Sequence, residues 1–220
     1  MPYARVAAKV MVGRTLEELG VTREVTPRHV AVKASVFPFE RFPGTDIILG
    51  PEMRSTGEVM GIDRRLGPAM AKAMIAAGLT LPTEGTVFIS VRDADKPFVP
   101  ELARRFRDLG FRILSTAGTW RALDATGIEA ELVPKIQEGL RPNILDKMKN
   151  GEVQLVVNTP TRKGPDTDEA RIRAFTVTHR IPCITTISAA RAACGGIAAL
   201  KRGALTVRPL QDYHADARTA

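Results

Sequence analysis

The stretch TVFISVRDADKPFVPELARRFRDLGFRILSTAGT, residues 86–119, decides the fold class of this 220-residue chain. It begins with an apolar strand at residues 86–91, and residues 97–109 then carry apolar side chains at helical spacing. Gly110 ends that helix, and residues 111–114 form a second strand. A strand, a helix and a strand in this succession predict a βαβ unit with two parallel strands.

The same alternation continues toward the C-terminus. Further strands are predicted at residues 131–133, 153–157 and 183–185. Further helices are predicted at residues 119–126, 142–150, 167–180 and 188–201. We therefore predict an α/β fold with a doubly wound, parallel five-stranded sheet that is covered by helices on both faces.

Residues 1–84 show a less regular pattern. A helix at residues 4–12, a strand at 30–37 and a helix at 67–77 are predicted, with a loop rich in Gly and Pro between the last two. This part is poor in strands and core residues for its length, so we predict that it is not a self-contained domain. A domain boundary is accordingly expected between residues 84 and 85.

Composition excludes several classes of protein. The chain is 44% hydrophobic and 25% charged, which is typical of a soluble globular protein. No run approaches the roughly 18 apolar residues of a membrane-spanning helix, and the N-terminus lacks the apolar core of a signal peptide. Cys183 and Cys194 have no metal-ligand spacing around them, which predicts no metal site and indicates a reducing, cytoplasmic setting.

The net charge of +8 points to an anionic partner or to solubility alone. The basic residues are scattered and only 5% of the residues are aromatic, so no stacking surface for nucleic acid is visible. A pocket for a small anion is therefore favoured over a nucleic-acid interface.

The loops after the predicted strands carry the candidate binding residues. Ligands of parallel α/β sheets bind at the carboxyl edge of the strands. Ser115-Thr116-Ala117-Gly118-Thr119 opens directly into a helix, either as a phosphate-binding helix start or as a simple capped helix. The loops after the other strands contain two lysines, whose charges can bind a phosphate. They also contain an amide and a hydroxyl, which can form hydrogen bonds with a base or a ribose. These residues are Lys96, Lys135, Asn158 and Thr159.

No catalytic group is predicted. His29, His179 and His214 lie in three separate segments, and neither cysteine has an activating base nearby in the pattern. Asp166 and Asp168 flank a loop and are expected to face solvent. The glycines do not form a Walker or dinucleotide fingerprint. The residues by themselves thus predict a domain that binds a phosphate ligand without a catalyst.

Two runs in the first part carry a specific resemblance. SVFPFERFPG (35–44) and LGPEMRSTGEVMG (49–61) resemble the end of the second ATP-grasp unit in the large subunits of carbamoyl phosphate synthases. Residues 9–33 also resemble this part of the family's sequences, in the same alignment as the two runs. From Gly85 the chain is similar to the C-terminal regulatory domain of that family, which has a methylglyoxal-synthase-like fold. The resemblance implies that residues 1–84 are the α+β tail of an ATP-grasp domain and that residues 85–220 are the allosteric regulatory domain.

The resemblance also implies a function. Members of the family make carbamoyl phosphate from bicarbonate and glutamine-derived ammonia for arginine and pyrimidine biosynthesis, with ATP, Mg and K. Their catalytic elements precede the part that matches this chain. The chain therefore looks like a C-terminal piece of the subunit or the product of a split gene, with no cofactor and no catalytic activity alone. The implied partners are the rest of the large subunit and the small glutaminase subunit, and not nucleic acid or a membrane; a homo-oligomer is left open.

The regulatory domain of the family binds a nucleotide monophosphate effector, uridine or inosine monophosphate. Six positions match its effector site, namely Lys96, Thr116, Thr119, Lys135, Asn158 and Thr159. Pro160 stands where a third hydroxyl is common, which removes one expected contact. Ala34 and Cys183 stand where ornithine-activated relatives have a carboxylate and a tyrosine, so no activation by ornithine is expected.

Two alternatives stay open. One is an enzyme of the same superfamily, since residues 90–91 and 114–116 also resemble inosine monophosphate cyclohydrolase and the fold resembles methylglyoxal synthase. Against it, the loop at residues 161–166 lacks the glycine-rich, aspartate-bearing form of methylglyoxal synthases, and the run at 51–61 has no place in a cyclohydrolase. The other is a basic interaction module whose residues 1–84 dock on an ATP-grasp part.

Overall fold

The computed structural model describes residues 1–24, 26–36, 57–159, 167–203 and 205–215. The strands are β1 (Val30–Val36), β2 (Gly57–Asp63), β3 (Thr86–Ser90), β4 (Arg112–Ser115), β5 (Glu131–Leu132), β6 (Leu155–Asn158) and β7 (Cys183–Ile184). The helices are α1 (Tyr3–Met11), α2 (Leu66–Ala76), α3 (Val99–Asp108), α4 (Ala117–Asp124), α5 (Ile144–Lys149), α6 (Asp168–Thr178), α7 (Ile187–Lys201) and α8 (Leu210–Ala215). Short 3₁₀ turns span Asp93–Phe98 and Ile136–Glu138.

Five strands form one parallel sheet in the order β5-β4-β3-β6-β7. The chain starts at the centre with β3, moves outward through β4 and β5, and then returns to the other side of β3 with β6 and β7. This order is that of a doubly wound sheet, whose direction of winding switches between β3 and β6. The predicted fold class is confirmed.

Alternation along the strands divides the core between the two faces of the sheet. Val87 and Ile89 of β3 belong to a buried cluster with side chains of α2, α3, α4 and α7. Phe88, between them, belongs to a second cluster with Ile144 of α5 and Ile172 of α6. Both faces are thus covered by helices, which explains why the central strands are apolar throughout.

The segment before the sheet contains two paired strands that form a hairpin, and the sequence pattern predicted only the first of them. β1 pairs with β2 in antiparallel register, from Val30 opposite Asp63 to Val36 opposite Gly57. The sequence pattern placed no strand at β2, because its short run of alternating residues follows a stretch rich in Gly and Pro. Most of the two runs that carry the family resemblance, residues 37–56, lies outside the described residues.

Helix α2 lies against the hairpin on one side and α7 on the other. Lys72 of α2 binds Asp63 at the end of β2, with 2.8 Å between Nζ and Oδ2. At the crossing with α7 the two backbones are so close that a Cβ on Gly67 would lie 2.5 Å from the carbonyl carbon of Gly195. Only residues without a side chain permit this approach.

The chain divides into two compact units. One consists of the segments that carry α1 and α8, and the other is Val30–Val207, which contains the hairpin, the five-stranded sheet and the helices between them. Within the first unit, the ring of His29 contacts that of Tyr213 edge to face. The domain boundary expected between residues 84 and 85 stays a prediction.

The ends of the predicted helices differ from the observed ends by a few residues. Helix α5 begins at Ile144 rather than at residue 142, because Asn143 caps it and forms a capping box with Asp146. The pattern did not predict α8 or the two 3₁₀ turns. Among the described helices, none combines the length and the apolar character needed to cross a bilayer.

Candidate functional site

A pocket of about 560 Å³ opens at the carboxyl ends of β3, β4 and β6. This volume falls in the range of roughly 300–1,000 Å³ that is common for small-molecule sites. The pocket lies where the winding of the sheet switches direction, the place where open α/β sheets bind ligands. All six residues predicted for the site line it, namely Lys96, Thr116, Thr119, Lys135, Asn158 and Thr159.

Lys96 reaches the pocket from the 3₁₀ turn that follows β3. Its Nζ lies 2.6 Å from Oδ1 of Asp93, and a Cβ added to Gly118 would lie 3.1 Å from the same nitrogen. The hydrogen bond and the charge of Lys96, together with the charge of Lys135, lower the pKa of Asp93. The ammonium group therefore lies against the first turn of α4, where Gly118 leaves room for it.

The start of α4 has no side-chain cap. Thr116 occupies the N-cap position, but its hydroxyl lies 3.0 Å from the hydroxyl of Ser90 instead of capping the helix. The first turn contains no acidic residue. Backbone N–H groups at an uncapped helix start favour an anion, through their hydrogen bonds and through the helix dipole. Of the two interpretations of this loop, the simple capped helix does not agree with the structure.

Two buried hydroxyls are held in place by the backbone. The Oγ1 of Thr119 accepts a hydrogen bond from the N–H of Val91, and that of Thr159 accepts one from the N–H of Arg92. An oxygen that accepts from the backbone still has its own proton to donate. These two threonines are thus fixed as hydrogen-bond donors at the pocket wall.

Asn158 ends β6 and is nearly fully buried. Its Nδ2 donates to the carbonyl oxygen of Ser90 at 3.3 Å. This contact fixes the amide plane and leaves Oδ1 as an acceptor for a ligand N–H or O–H group.

Lys135 is a half-buried lysine at the pocket wall, just after β5. Within the part of the chain that the structure describes, its ammonium group makes no hydrogen bond and no ion pair. Its charge acts on the carboxylate of Asp93, but no described acceptor contacts it directly. An anionic ligand would supply such an acceptor.

Three carboxylates that the sequence did not assign to the site line the pocket, namely Asp93, Asp168 and Glu169. Asp168 and Glu169 form the first turn of α6, which is capped by the hydroxyl of Thr167. Asp168 is half-buried, and its Oδ2 accepts a hydrogen bond of 3.4 Å from the N–H of Gln137. Asp168 was expected to face solvent, and it does so from the wall of the pocket, with part of its surface covered. The same strand-edge rule that found Asn158 applies to it, because α6 starts shortly after β6.

Groups that the sequence set aside lie away from this pocket. Burial raises the pKa of Cys194 to about 12 and also raises that of Cys183, so both thiols stay protonated. His179 stacks on Phe175 at the end of α6. The described residues contain no group of three or more side chains able to hold a metal ion.

Several sequence-based expectations fall outside what the structure describes. Pro160, the loop at residues 161–166 with Asp166, and the side chain of His214 lie outside the described residues. Ala34 pairs with Val59 in the hairpin, and Cys183 lies in β7. The absence of ornithine activation stays a prediction.

Comparison with known proteins gives a family for part of the chain. Residues 99–185 match the family model described as "MGS-like domain". Large chains of carbamoyl phosphate synthase are similar over almost the whole chain. The relative from Myxococcus xanthus is 53% identical over 210 residues, or 96% of this chain and 19% of the relative. The relative from Archaeoglobus fulgidus is 51% identical over 215 residues, or 97% of this chain and 20% of the relative.

A chloroplastic, arginine-specific large chain from Oryza sativa is 50% identical over 213 residues, which are 96% of this chain and 18% of that protein. The chain thus spans about a fifth of the length of the curated relatives it matches. Among solved structures, a methylglyoxal synthase from Elizabethkingia anophelis is 18% identical, with a TM-score of 0.40 over 52% of this chain and 79% of the other.

Proposed function

This chain is a relative of the carbamoyl phosphate synthase large chains and matches their C-terminal part. From this relationship we propose that the chain is a regulatory domain that binds a nucleotide monophosphate. The proposed effector is uridine or inosine monophosphate. Its phosphate binds between Lys96, Lys135 and the start of α4, and its nucleoside extends toward Asn158 and Thr159.

The observation that carries this proposal is the half-buried ammonium group of Lys135, which makes no hydrogen bond among the described residues, at a pocket that also contains a helix start without a side-chain cap. A phosphate at this place accepts hydrogen bonds from the first N–H groups of α4 and from the fixed hydroxyl of Thr119. It also neutralises Lys135. One group therefore satisfies several polar atoms that the described part of the chain leaves without partners.

The wider role follows from the relatives. We propose that the chain acts within a carbamoyl phosphate synthase, an ATP-dependent ligase of arginine and pyrimidine biosynthesis, together with an ATP-grasp part and a glutaminase subunit. The effector then regulates catalysis that takes place elsewhere in the assembly. A cytoplasmic setting is proposed because both cysteines are free thiols. The proposal assigns no cofactor and no catalytic residue to this chain.

Isothermal titration of the 220-residue chain with uridine and inosine monophosphates tests the binding. The parent chain is expected to bind at least one of them, and Lys135→Ala is expected to weaken this binding by about one to two decades. The reason is the loss of a charge-assisted contact worth roughly 1.5–3 kcal/mol. Lys96→Ala is expected to act similarly.

Lys149→Ala is the matched control, since Lys149 is exposed at the end of α5 and does not line the pocket. Its affinity and melting temperature are expected to equal those of the parent. If Lys135→Ala binds both nucleotides as tightly as a parent that binds them, the phosphate position is wrong.

A superfamily enzyme of the methylglyoxal synthase type is a second candidate, because the carboxylates of Asp93 and Asp168 line the pocket and could move a proton. The lowered pKa of Asp93 makes it a weak base, however. Release of phosphate from dihydroxyacetone phosphate that Asp168→Asn abolishes would favour the enzyme. We expect no such release.

A further inference from the structure

Arg92 is a third cationic side chain, beside Lys96 and Lys135, among the described residues that line the pocket. The sequence pattern did not assign it to the site. It stands between the end of β3 and the 3₁₀ turn Asp93–Phe98. Its side chain is 53% exposed, so it lies at the mouth of the pocket rather than at the floor.

Two contacts hold Arg92 in place. Its backbone N–H donates to Oγ1 of Thr159 at 3.0 Å, which ties the main chain to the residue after β6. Its Nε donates to Oδ2 of Asp95 at 2.8 Å, and the side chain of Asp95 is only 15% exposed. A mostly buried carboxylate has little freedom left to lose, so it holds a guanidinium more firmly than a mobile surface partner does. The position of the guanidinium is thus defined without a ligand.

The guanidinium keeps one edge available for a ligand. An arginine has five N–H donors in a planar fork, and the bond to Asp95 uses only Nε. Neither Nη group donates a hydrogen bond to another of the described residues. Two parallel N–H bonds from such an edge match the paired oxygens of a carboxylate or a phosphate.

Arg92 and Lys96 lie on different sides of the same turn. A 3₁₀ helix has three residues per turn, so positions 93 and 96 share one side and positions 92 and 95 share another. The two ion pairs follow this division, because each joins residues three positions apart. The ammonium group of Lys96 lies against α4, whereas the main chain of Arg92 lies against the end of β6, on the other side of β3.

We propose that Arg92 determines specificity by binding a second anionic group, which the base or the sugar of the ligand carries. This inference rests on the proposed function, which places the first phosphate at Lys96, Lys135 and α4 and the nucleoside near Thr159. The described wall also contains three carboxylates, so a second anion is favoured only in direct contact with a cation. Arg92 provides this contact. The ligand is thus a nucleotide with a 5′-phosphate and a separate carboxylate or phosphate.

Titration calorimetry with three probes tests the inference. Uridine 5′-monophosphate has no second anionic group, orotidine 5′-monophosphate has a carboxylate on the base, and uridine 3′,5′-bisphosphate has a second phosphate on the sugar. The parent chain is expected to bind at least one of the last two about five- to tenfold more tightly than uridine 5′-monophosphate. The preference is moderate because solvent screens a half-exposed guanidinium. The probe that is preferred shows whether the base or the sugar carries the second anion.

Arg92→Gln removes the charge and the fork while it keeps much of the length of the side chain. In this variant the preference is expected to fall to about twofold or less. The preference is a ratio of two affinities measured on the same chain, so a general loss of affinity or of stability does not change it. A merely structural role of Arg92 would therefore leave the ratio at the value of the parent.

Arg105→Gln is the matched control. Arg105 is also 53% exposed and also donates from Nε to a carboxylate, that of Glu101 at 2.8 Å, but it does not line the pocket. Its substitution removes the same charge and a comparable ion pair, and the preference is expected to equal that of the parent. Thermal melts of the three chains show whether either substitution alters the fold.

The outcomes separate the two proposals. A parent that binds uridine 5′-monophosphate and prefers neither of the other probes overturns the inference and leaves the proposed function in place. The same holds if Arg92→Gln keeps the preference of the parent, or if Arg105→Gln loses it as well, since the effect then belongs to another cation or to net charge. A parent that binds none of the three probes, nor inosine monophosphate, overturns the proposed function and the inference with it.

Discussion

At the scale of single residues, Asp93 forms an ion pair with Lys96 at the pocket wall. Its carboxylate lies 2.6 Å from the ammonium group of Lys96 and is almost fully exposed. A ligand phosphate that binds Lys96 must compete with this carboxylate for the same protons. We therefore expect this pair to weaken the proposed binding of a phosphate.

We expect Asp93→Asn to bind nucleotide monophosphates about two- to fivefold more tightly than the parent, which is the modest effect of an exposed ion pair. Titration calorimetry measures it. Asp108→Asn is the control, because Asp108 is exposed at the end of α3 and does not line the pocket. Unchanged or weaker binding in Asp93→Asn would show that the carboxylate does not compete.

At the scale of elements, the crossing of α2 and α7 joins the hairpin segment to the sheet. Gly67 and Gly195 bring the two helix backbones together, and a Cβ on Gly67 would meet the backbone of Gly195 at 2.5 Å. Alanine normally stabilises a helix relative to glycine. Here the close contact outweighs that preference, since the helices have to move apart.

Gly67→Ala is therefore expected to lower the free energy of unfolding by about 1–3 kcal/mol. For a protein of this size that corresponds to a fall in Tm of roughly 2–4 °C per kcal/mol, which a thermal melt resolves. Gly57→Ala is the matched control, because its added Cβ would make only an ordinary contact of 3.8 Å with Val36. A Gly67→Ala variant as stable as the parent contradicts the described packing.

At the scale of the whole molecule, ion pairs make the fold sensitive to acid. Burial raises the pKa of Asp63, but the hydrogen bond and the charge of Lys72 lower it by more than burial raises it. The net shift of the Asp63 pKa is therefore downward. Hydrogen bonds from Arg191 lower the pKa of Glu101, and those from Lys147 lower the pKa of Glu152. These carboxyl groups hold their protons less tightly in the folded chain than in the unfolded one.

A lowered folded pKa stabilises the fold above the unfolded pKa, and this stabilisation is lost as the pH falls through the folded pKa. The unfolded values are 3.8 for Asp63 and 4.5 for Glu101 and Glu152. We therefore expect the urea midpoint to be nearly constant from about pH 8 to pH 5 and to fall below about pH 4.5.

Asp63→Asn sharpens this test, because the side chains of Asp63 and Lys72 are mostly buried, with 13% and 21% exposed. The variant is expected to be less stable than the parent at pH 7 by about 1–2 kcal/mol and to lose less stability on acidification. Glu138→Gln, an exposed carboxylate outside these pairs, should follow the parent at every pH. A parent midpoint that does not change down to pH 3 would contradict the prediction.

Much of the architecture follows from short stretches of sequence. The five strands of the sheet were predicted at nearly their observed places, because most of them are short, largely apolar runs that end at polar or small residues. The rule that parallel strands bind ligands at their carboxyl ends then grouped Lys96, Lys135 and Asn158. The structure brings these residues into one pocket, while their binding of an effector stays a prediction.

The sequence by itself determined the fold class, the order of the elements, the family resemblance and the six residues of the candidate site, because periodicity and strand ends are local properties. Only the tertiary structure decided that β2 pairs with β1, that Asp93 holds Lys96, that α4 starts without a cap, and that Asp168 faces the pocket. The strand pairing depends on segments that are far apart in sequence, and the other features depend on which way a side chain rotates. No local sequence pattern specifies either.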